Sequence, residues 1–212
     1  MGTFKKGING SFSGKTGSII GSKWKSIPYM KGLPRLKKHA TFSEAQLKQQ
    51  EKFKLLLDFL MPIHRLLAIG FRQYLNRQTQ LNAAMKGNYD LALYEEEGKT
   101  YVNFRKVQFS QGVLFTPGNE QAKYTPEGIE VSWHTKTYGV RGDNDDQVYI
   151  VFYQEDEARL YMPGSAIRSD GHYLIKIDKQ WGPIQHVWLF LCSTRGKEVS
   201  RTVYVPITDS RQ

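Results

Sequence analysis

The residues with the most chemical promise lie near the front of the chain. Gly10-Ser11-Phe12-Ser13-Gly14-Lys15-Thr16 has the ingredients of a phosphate-cradling loop. Such a loop needs a glycine five positions before its second glycine, a buried strand before it and a helix after it. Position 9 is Asn9, Phe4–Asn9 is a poor strand, and Gly17 and Gly21 oppose a helix, so a glycine-rich docking segment is the better reading. Arg141-Gly142-Asp143 is an adhesion tripeptide, a weak signal in a short loop. Asp143-Asn144-Asp145-Asp146 offers hard oxygen ligands, but without the glycine and distal glutamate of a calcium loop it reads as a solvated acidic turn. The histidines His39, His64, His134, His172 and His186 show no metal-ligand spacing, and Cys192 sits within an apolar strand. Glu95-Glu96-Glu97 before Gly98 reads as a turn. With no acid/base pair and no nucleophile motif, we expect no enzyme, no catalytic residue, no cofactor, no bound metal and no small-molecule substrate.

What remains is electrostatic. Residues 1–43 carry nine Lys and Arg and no acid. Seven glycines and several serines lie between them, so this segment cannot build a core alone and must find order on another surface. Its aromatic and aliphatic residues punctuate the glycines as anchors would. We assign Phe12, Ile20, Trp24 and Tyr29 to docking and Lys15, Lys23, Lys25, Lys31 and Arg35 to a basic surface. Two partners suit this composition. A glycine-rich, aromatic-studded segment can add to the sheet edge or groove of a second copy. Lysines among aromatics can also neutralise phosphates and stack bases, although the preponderance of lysine over arginine disfavours bidentate recognition.

The elements that must carry this segment follow in order. Residues 1–42 form the expected extended arm. Ser43 with Gln46 three positions on gives a capping box, and Leu47 to Leu75 repeat at helical spacing around Pro62, so 43–87 reads as a helical hairpin or kinked helix. From Tyr89 the period becomes two. Strands are expected at 101–104, 107–109, 113–115, 128–133, 147–153, 173–177, 186–192 and 201–207, separated by Pro, Gly, Asn and Asp turns. The fold class is therefore mainly β with a helical insert (α+β), with an antiparallel sandwich over 88–212 able to fold by itself. Its expected core includes Trp133, Tyr149, Val151 and Leu189.

Two resemblances sharpen this. Ile129-Glu130-Val131-Ser132-Trp133, Tyr149–Tyr153 and Val187–Leu191 running on to Val203-Tyr204-Val205-Pro206 resemble a fibronectin type III domain. Trp133 stands where that family keeps its core tryptophan. Val187 departs from the family's usual tyrosine, and the stretch from Gly196 to Ser200 is longer by two residues. Over nearly the whole chain, Gly10–Ser18, Trp24–Tyr29, Leu33-Pro34-Arg35, Ala45-Gln46-Leu47 and Ser110-Gln111-Gly112 are similar to a family of uncharacterised Bacteroidetes proteins. That likeness implies no ligand and no activity.

The expected function is a non-enzymatic structural protein, a homo-oligomer or polymer whose arm docks on a neighbouring subunit to give a filament or lattice. A phage-like virion or tail component is one form of this, and a nucleic-acid-binding accessory protein is the alternative. No stretch is long and apolar enough to span a membrane, and no secretion signal opens the chain, so a cytoplasmic start is expected, with export or virion assembly open.

Overall fold

A computed structural model describes residues 3–4, 10–24, 27–34, 41–74, 78–137, 141–154, 157–161, 166–176 and 183–208. The chain divides into two compact units, Met1–Ser43 and Glu44–Gln212.

The first unit departs from the extended arm expected of it. It is an antiparallel four-stranded sheet of β1 (Thr3–Phe4), β2 (Phe12–Thr16), β3 (Ile19–Trp24) and β4 (Ile27–Gly32), paired in chain order. Low hydrophobicity argues against local order, but turn chemistry supplies it. Thr16 pairs with Ile19 across a two-residue loop, and Gly17 takes φ +58° there, a conformation that costs glycine nothing. Gly14 sits opposite Gly21. A Cβ on Gly21 would overlap the Phe12 carbonyl oxygen and lie 2.7 Å from its ring, so the glycine lets Phe12 lie across the sheet. Leu33 N–H continues the ladder to Ser18 O at 3.0 Å.

The second unit begins with α1 (Glu44–Leu60), directly after Ser43. A single 3₁₀ turn at Met61–Ile63, placed by Pro62, leads into α2 (His64–Gly70). A third helix, α3 (Gln80–Tyr89), is capped by Thr79, whose hydroxyl accepts from Asn82 N–H. The boundary expected at 87/88 therefore falls inside α3. A hairpin of β5 (Leu93–Glu96) and β6 (Lys99–Val102) turns through Glu97 and Gly98, both at positive φ. Among the described residues no helix is long and apolar enough to cross a membrane.

Two four-stranded sheets follow. One holds β10 (Glu157–Tyr161), β9 (Gln147–Gln154), β12 (Ile184–Cys192) and β13 (Val203–Val205), in that order. The other holds β11 (His172–Lys176), β8 (Gly128–Ser132), β7 (Gln121–Thr125) and β14 (Ile207–Thr208). Their strand pairs are antiparallel except β14 with β7. Between the sheets lies one buried cluster. Ile129, Val131 and Ile175 face Val148, Ile150, Phe152, Val187, Leu189 and Leu191.

The alternate side chains of β9 and β12 point the other way. Val151, Trp188 and Phe190 are buried against Leu56, Leu60, Ile63, Leu66, Leu67 and Phe71 of the helical run. The order is helices, sheet, sheet, and the middle sheet is buried on both faces. That explains why β9 and β12 read as continuous apolar runs instead of a clean alternation. The four core residues named from sequence thus lie in two layers. Trp133 and Leu189 belong to the inter-sheet cluster, and Val151 belongs to the helix-facing cluster, with Tyr149 half-buried against it. Because helices and sheet share a core, the chain divides before Glu44 and not after residue 87.

Two expected strands are not regular strands. At 107–109 side chains replace ladder partners: Gln108 N–H donates to Asn88 Oδ1 at 2.7 Å, and Phe109 N–H donates to Thr202 Oγ1 at 2.8 Å. At 113–115 only a bridge between Leu114 and Ser200 remains.

Candidate assembly surface

Register decides what the N-terminal sheet displays. Lys15 pairs with Ile20, Ile20 with Lys31, Ser22 with Tyr29 and Trp24 with Ile27. Directly paired residues share a face, so Lys15, Ile20, Trp24, Ile27, Tyr29 and Lys31 form one surface. The opposite surface carries Phe12, Ile19, Lys23 and Met30, by the same alternation and by the Phe12 ring lying over Gly21. Of the docking residues named from sequence, Ile20, Trp24 and Tyr29 come together and Phe12 does not. Of the basic residues, Lys15 and Lys31 join the first face and Lys23 the second. Lys25 and Arg35 lie outside the described residues.

The described strands of this unit form one sheet. Trp24 is 46% exposed, Ile27 61%, Tyr29 42% and Met30 69%, while Phe12 and Ile20 are half-buried. Apolar groups gathered on an exposed face can serve as a binding surface.

The chemically suggestive groups of the second unit make contacts within the fold. Arg168 and Asp146 form a fully buried ion pair, with Arg168 Nη2 donating to Asp146 Oδ2 at 3.0 Å and Nε at 3.2 Å. Nη2 also donates to Phe115 O at 2.7 Å, Asp143 N–H donates to Asp146 Oδ2 at 2.9 Å, and the Arg168 carbonyl accepts from Trp133 Nε1 at 2.9 Å. Burial pushes the Asp146 carboxyl up, while the Asp143 N–H and the Arg168 guanidinium oppose it. Gly142 lies over the pair. A Cβ there would come 2.8 Å from Arg168 Nη2, so the Arg141-Gly142-Asp143 tripeptide packs on a structural pair. The carboxylates of Asp143, Asp145 and Asp146 lie within 4.8 Å of one another; Asp146 Oδ2 accepts from Arg168 and Asp143 N–H, while its Oδ1 is buried with no hydrogen-bond partner.

His186 stacks on Phe104, with centroids 4.2 Å apart, and its Nδ1 lies 3.0 Å from Tyr204 Oη. Burial, helped by Arg105, holds its imidazole below the ordinary histidine value of 6.5. His64 Nδ1 lies 3.0 Å from Met61 O. His134 is half-buried and Lys136 N–H donates to its Nδ1 at 3.3 Å, His172 is exposed, and His39 lies outside the described residues. Cys192 is buried, and burial pushes its thiol up, the opposite of a poised nucleophile.

Sequence reasoning missed the joints and hollows. Asn88 clamps α3, its Nδ2 donating to Ala84 O and Gln108 O at 2.8 Å each. Thr202 Oγ1 accepts from both Phe109 and Ser110 N–H. Gly112 abuts Val199 so closely that a Cβ would overlap the Val199 carbonyl oxygen. Thus two residues of the Ser110-Gln111-Gly112 motif are structural, while Gln111 lines a hollow of about 1220 Å³ with Gln73, Tyr74, Lys86 and Arg201. A second hollow, of about 650 Å³, runs between α1 and the β5–β6 hairpin and is lined largely by aromatic rings. No local sequence signal marks either, because each is assembled from segments distant in the chain.

No curated protein and no solved structure matches this chain. A family model described as a family of unknown function (DUF6266) matches residues 11–206, from the second strand of the N-terminal sheet to the end of β13. One model thus spans both compact units, and the chain belongs to that family of unknown function, DUF6266.

Proposed function

We propose that this is a non-enzymatic structural protein that self-associates, its N-terminal sheet docking on a neighbouring subunit to build a filament or lattice. The observation that carries this is the N-terminal sheet with Trp24, Ile27, Tyr29 and Met30 exposed. Water is a poor environment for such side chains, and a protein partner can cover them. The contact is heterologous, one unit meeting a different surface of the next copy, so it need not close into a ring. A virion or tail component would be one setting for such an assembly, and export is compatible with it.

The β region fits a fibronectin type III-like sandwich. The order β11-β8-β7 opposite β10-β9-β12-β13 requires the chain to change sheets after β8, β10, β11 and β13, which supports a Greek-key pattern of that architecture. The helices on its outer face would then be an addition to that plan.

A second reading has its own observation. Trp24 and Tyr29 share a face with Lys15 and Lys31, an arrangement that can stack bases and neutralise phosphates. Two variants separate the readings. Lys15, Lys23 and Lys31 changed together to Gln should weaken self-association, read by light scattering, far less than Trp24→Ala does. If the lysine variant instead abolishes a salt-sensitive affinity for single-stranded DNA, and the full chain stays monomeric at all concentrations, the assembly reading is refuted.

A further inference from the structure

We propose that the surface receiving the N-terminal sheet is the aromatic groove between α1 and the β5–β6 hairpin of a second copy, an inference that rests on the assembly reading above. The groove is lined by Leu55, Phe59, Pro62, Tyr94, Tyr101 and Tyr153. Its base is a ring cluster: Phe59 lies 6.0 Å from Tyr153, and Phe104 lies 4.9 Å from Tyr153 and 5.9 Å from Phe59. Its rim is the pair Tyr94 and Tyr101, 5.6 Å apart and both exposed. At about 650 Å³ it can take more than one aromatic side chain.

Charge selects the occupant. Glu95 is held by Lys52 at 3.2 Å and Lys48 at 3.6 Å. Asp58 in the groove and Glu97 at the hairpin turn are exposed and make no ion pair among the described residues, and Glu96, exposed beside them, stands opposite Lys99 in register. The unit that needs covering has the opposite character. Residues 1–43 contain no acid, and Lys15 and Lys31 flank Ile20 on the face that also carries Trp24, Ile27 and Tyr29. Aromatic rings meeting an aromatic groove, with lysines reaching its carboxylates, match in both chemistry and sign. Tyrosine and tryptophan are also the side chains that most often anchor protein interfaces.

The test uses the full chain. A photo-reactive p-benzoylphenylalanine is placed at position 24, and unlabelled and ¹⁵N-labelled subunits are mixed, irradiated and mapped by mass spectrometry. The expected result is cross-links from position 24 to residues 55–62 or 94–104 of the differently labelled subunit. Asp58→Lys with Glu96→Lys, both at exposed positions, should reduce cross-link yield about fivefold or more, with unchanged circular dichroism, because like charges would then face each other. Lys15→Glu with Lys31→Glu in the other partner should restore part of it. Inter-subunit cross-links concentrated elsewhere would overturn the groove while leaving assembly standing. Cross-links confined to one subunit would also overturn it. A chain that stays monomeric and gives no inter-subunit cross-link would overturn both.

Discussion

Replacing Arg168 with methionine tests the centre of the second unit. Arg168→Met keeps much of the side-chain volume but removes the guanidinium. It leaves the Asp146 carboxylate buried without its cation and the Phe115 carbonyl without its donor. Both members of the pair have side chains only 1% exposed, so water cannot substitute. Removing one partner of a buried pair costs about 3–5 kcal/mol. With a urea dependence of roughly 2 kcal/mol per molar, the unfolding midpoint should fall by about 1.5–2.5 M, read by tryptophan fluorescence. The double variant Arg168→Met with Asp146→Leu removes the stranded charge, so its loss should be clearly smaller than the sum of the two single losses. It will not reach zero, because Asp143 N–H also donates to Asp146. A midpoint for Arg168→Met within about 0.3 M of wild type, about 0.6 kcal/mol by the same slope, would refute this reasoning. So would additive losses in the double variant.

Trp133→Ala should cost about 3–5 kcal/mol in chemical denaturation, because the ring fills the inter-sheet cluster and its Nε1 holds the Arg168 carbonyl. Gly70→Ala should destabilise by about 3 kcal/mol, at the upper end of overpacking costs, since a Cβ there would overlap the Phe109 carbonyl oxygen. Gly118→Ala, with open space around its Cβ but φ +81°, should lose only about 1 kcal/mol of backbone strain. His186 has a folded value held below 6.5, so as pH falls the unfolded chain takes up this proton first. Its stability contribution is fully present above pH 6.5 and is lost as pH falls through the interval below that value. His186→Gln should flatten the dependence of the urea midpoint over that interval, and an unchanged slope would show that another group titrates.

Much of the architecture is legible in residue patterns. The apolar runs at 128–133, 147–153 and 186–192 correspond to β8, β9 and β12, and Pro62 places the 3₁₀ turn within the helical run. These features are local: a short β-branched and aromatic run bounded by turn residues, or a missing N–H, acts within a few residues. The acid-free front of the chain is equally plain, because charge is counted without folding. Tertiary structure decides the rest. Val107–Phe109 looks like a strand, but Asn88 and Thr202 capture its backbone N–H groups from far away in sequence. Tyr149 and Val151 look like partners of Leu189, but alternation along β9 and β12 sends them to the helix side, since the middle sheet is covered on both faces. The glycines of residues 10–21 suggest an arm without order, yet Gly17 makes the turn and Gly21 admits Phe12. Cross-strand register then gathers Ile20, Trp24 and Tyr29 with two lysines and sends Phe12 to the other face. Composition supplies the charge and the rings, but only pairing between strands determines which of them share a surface.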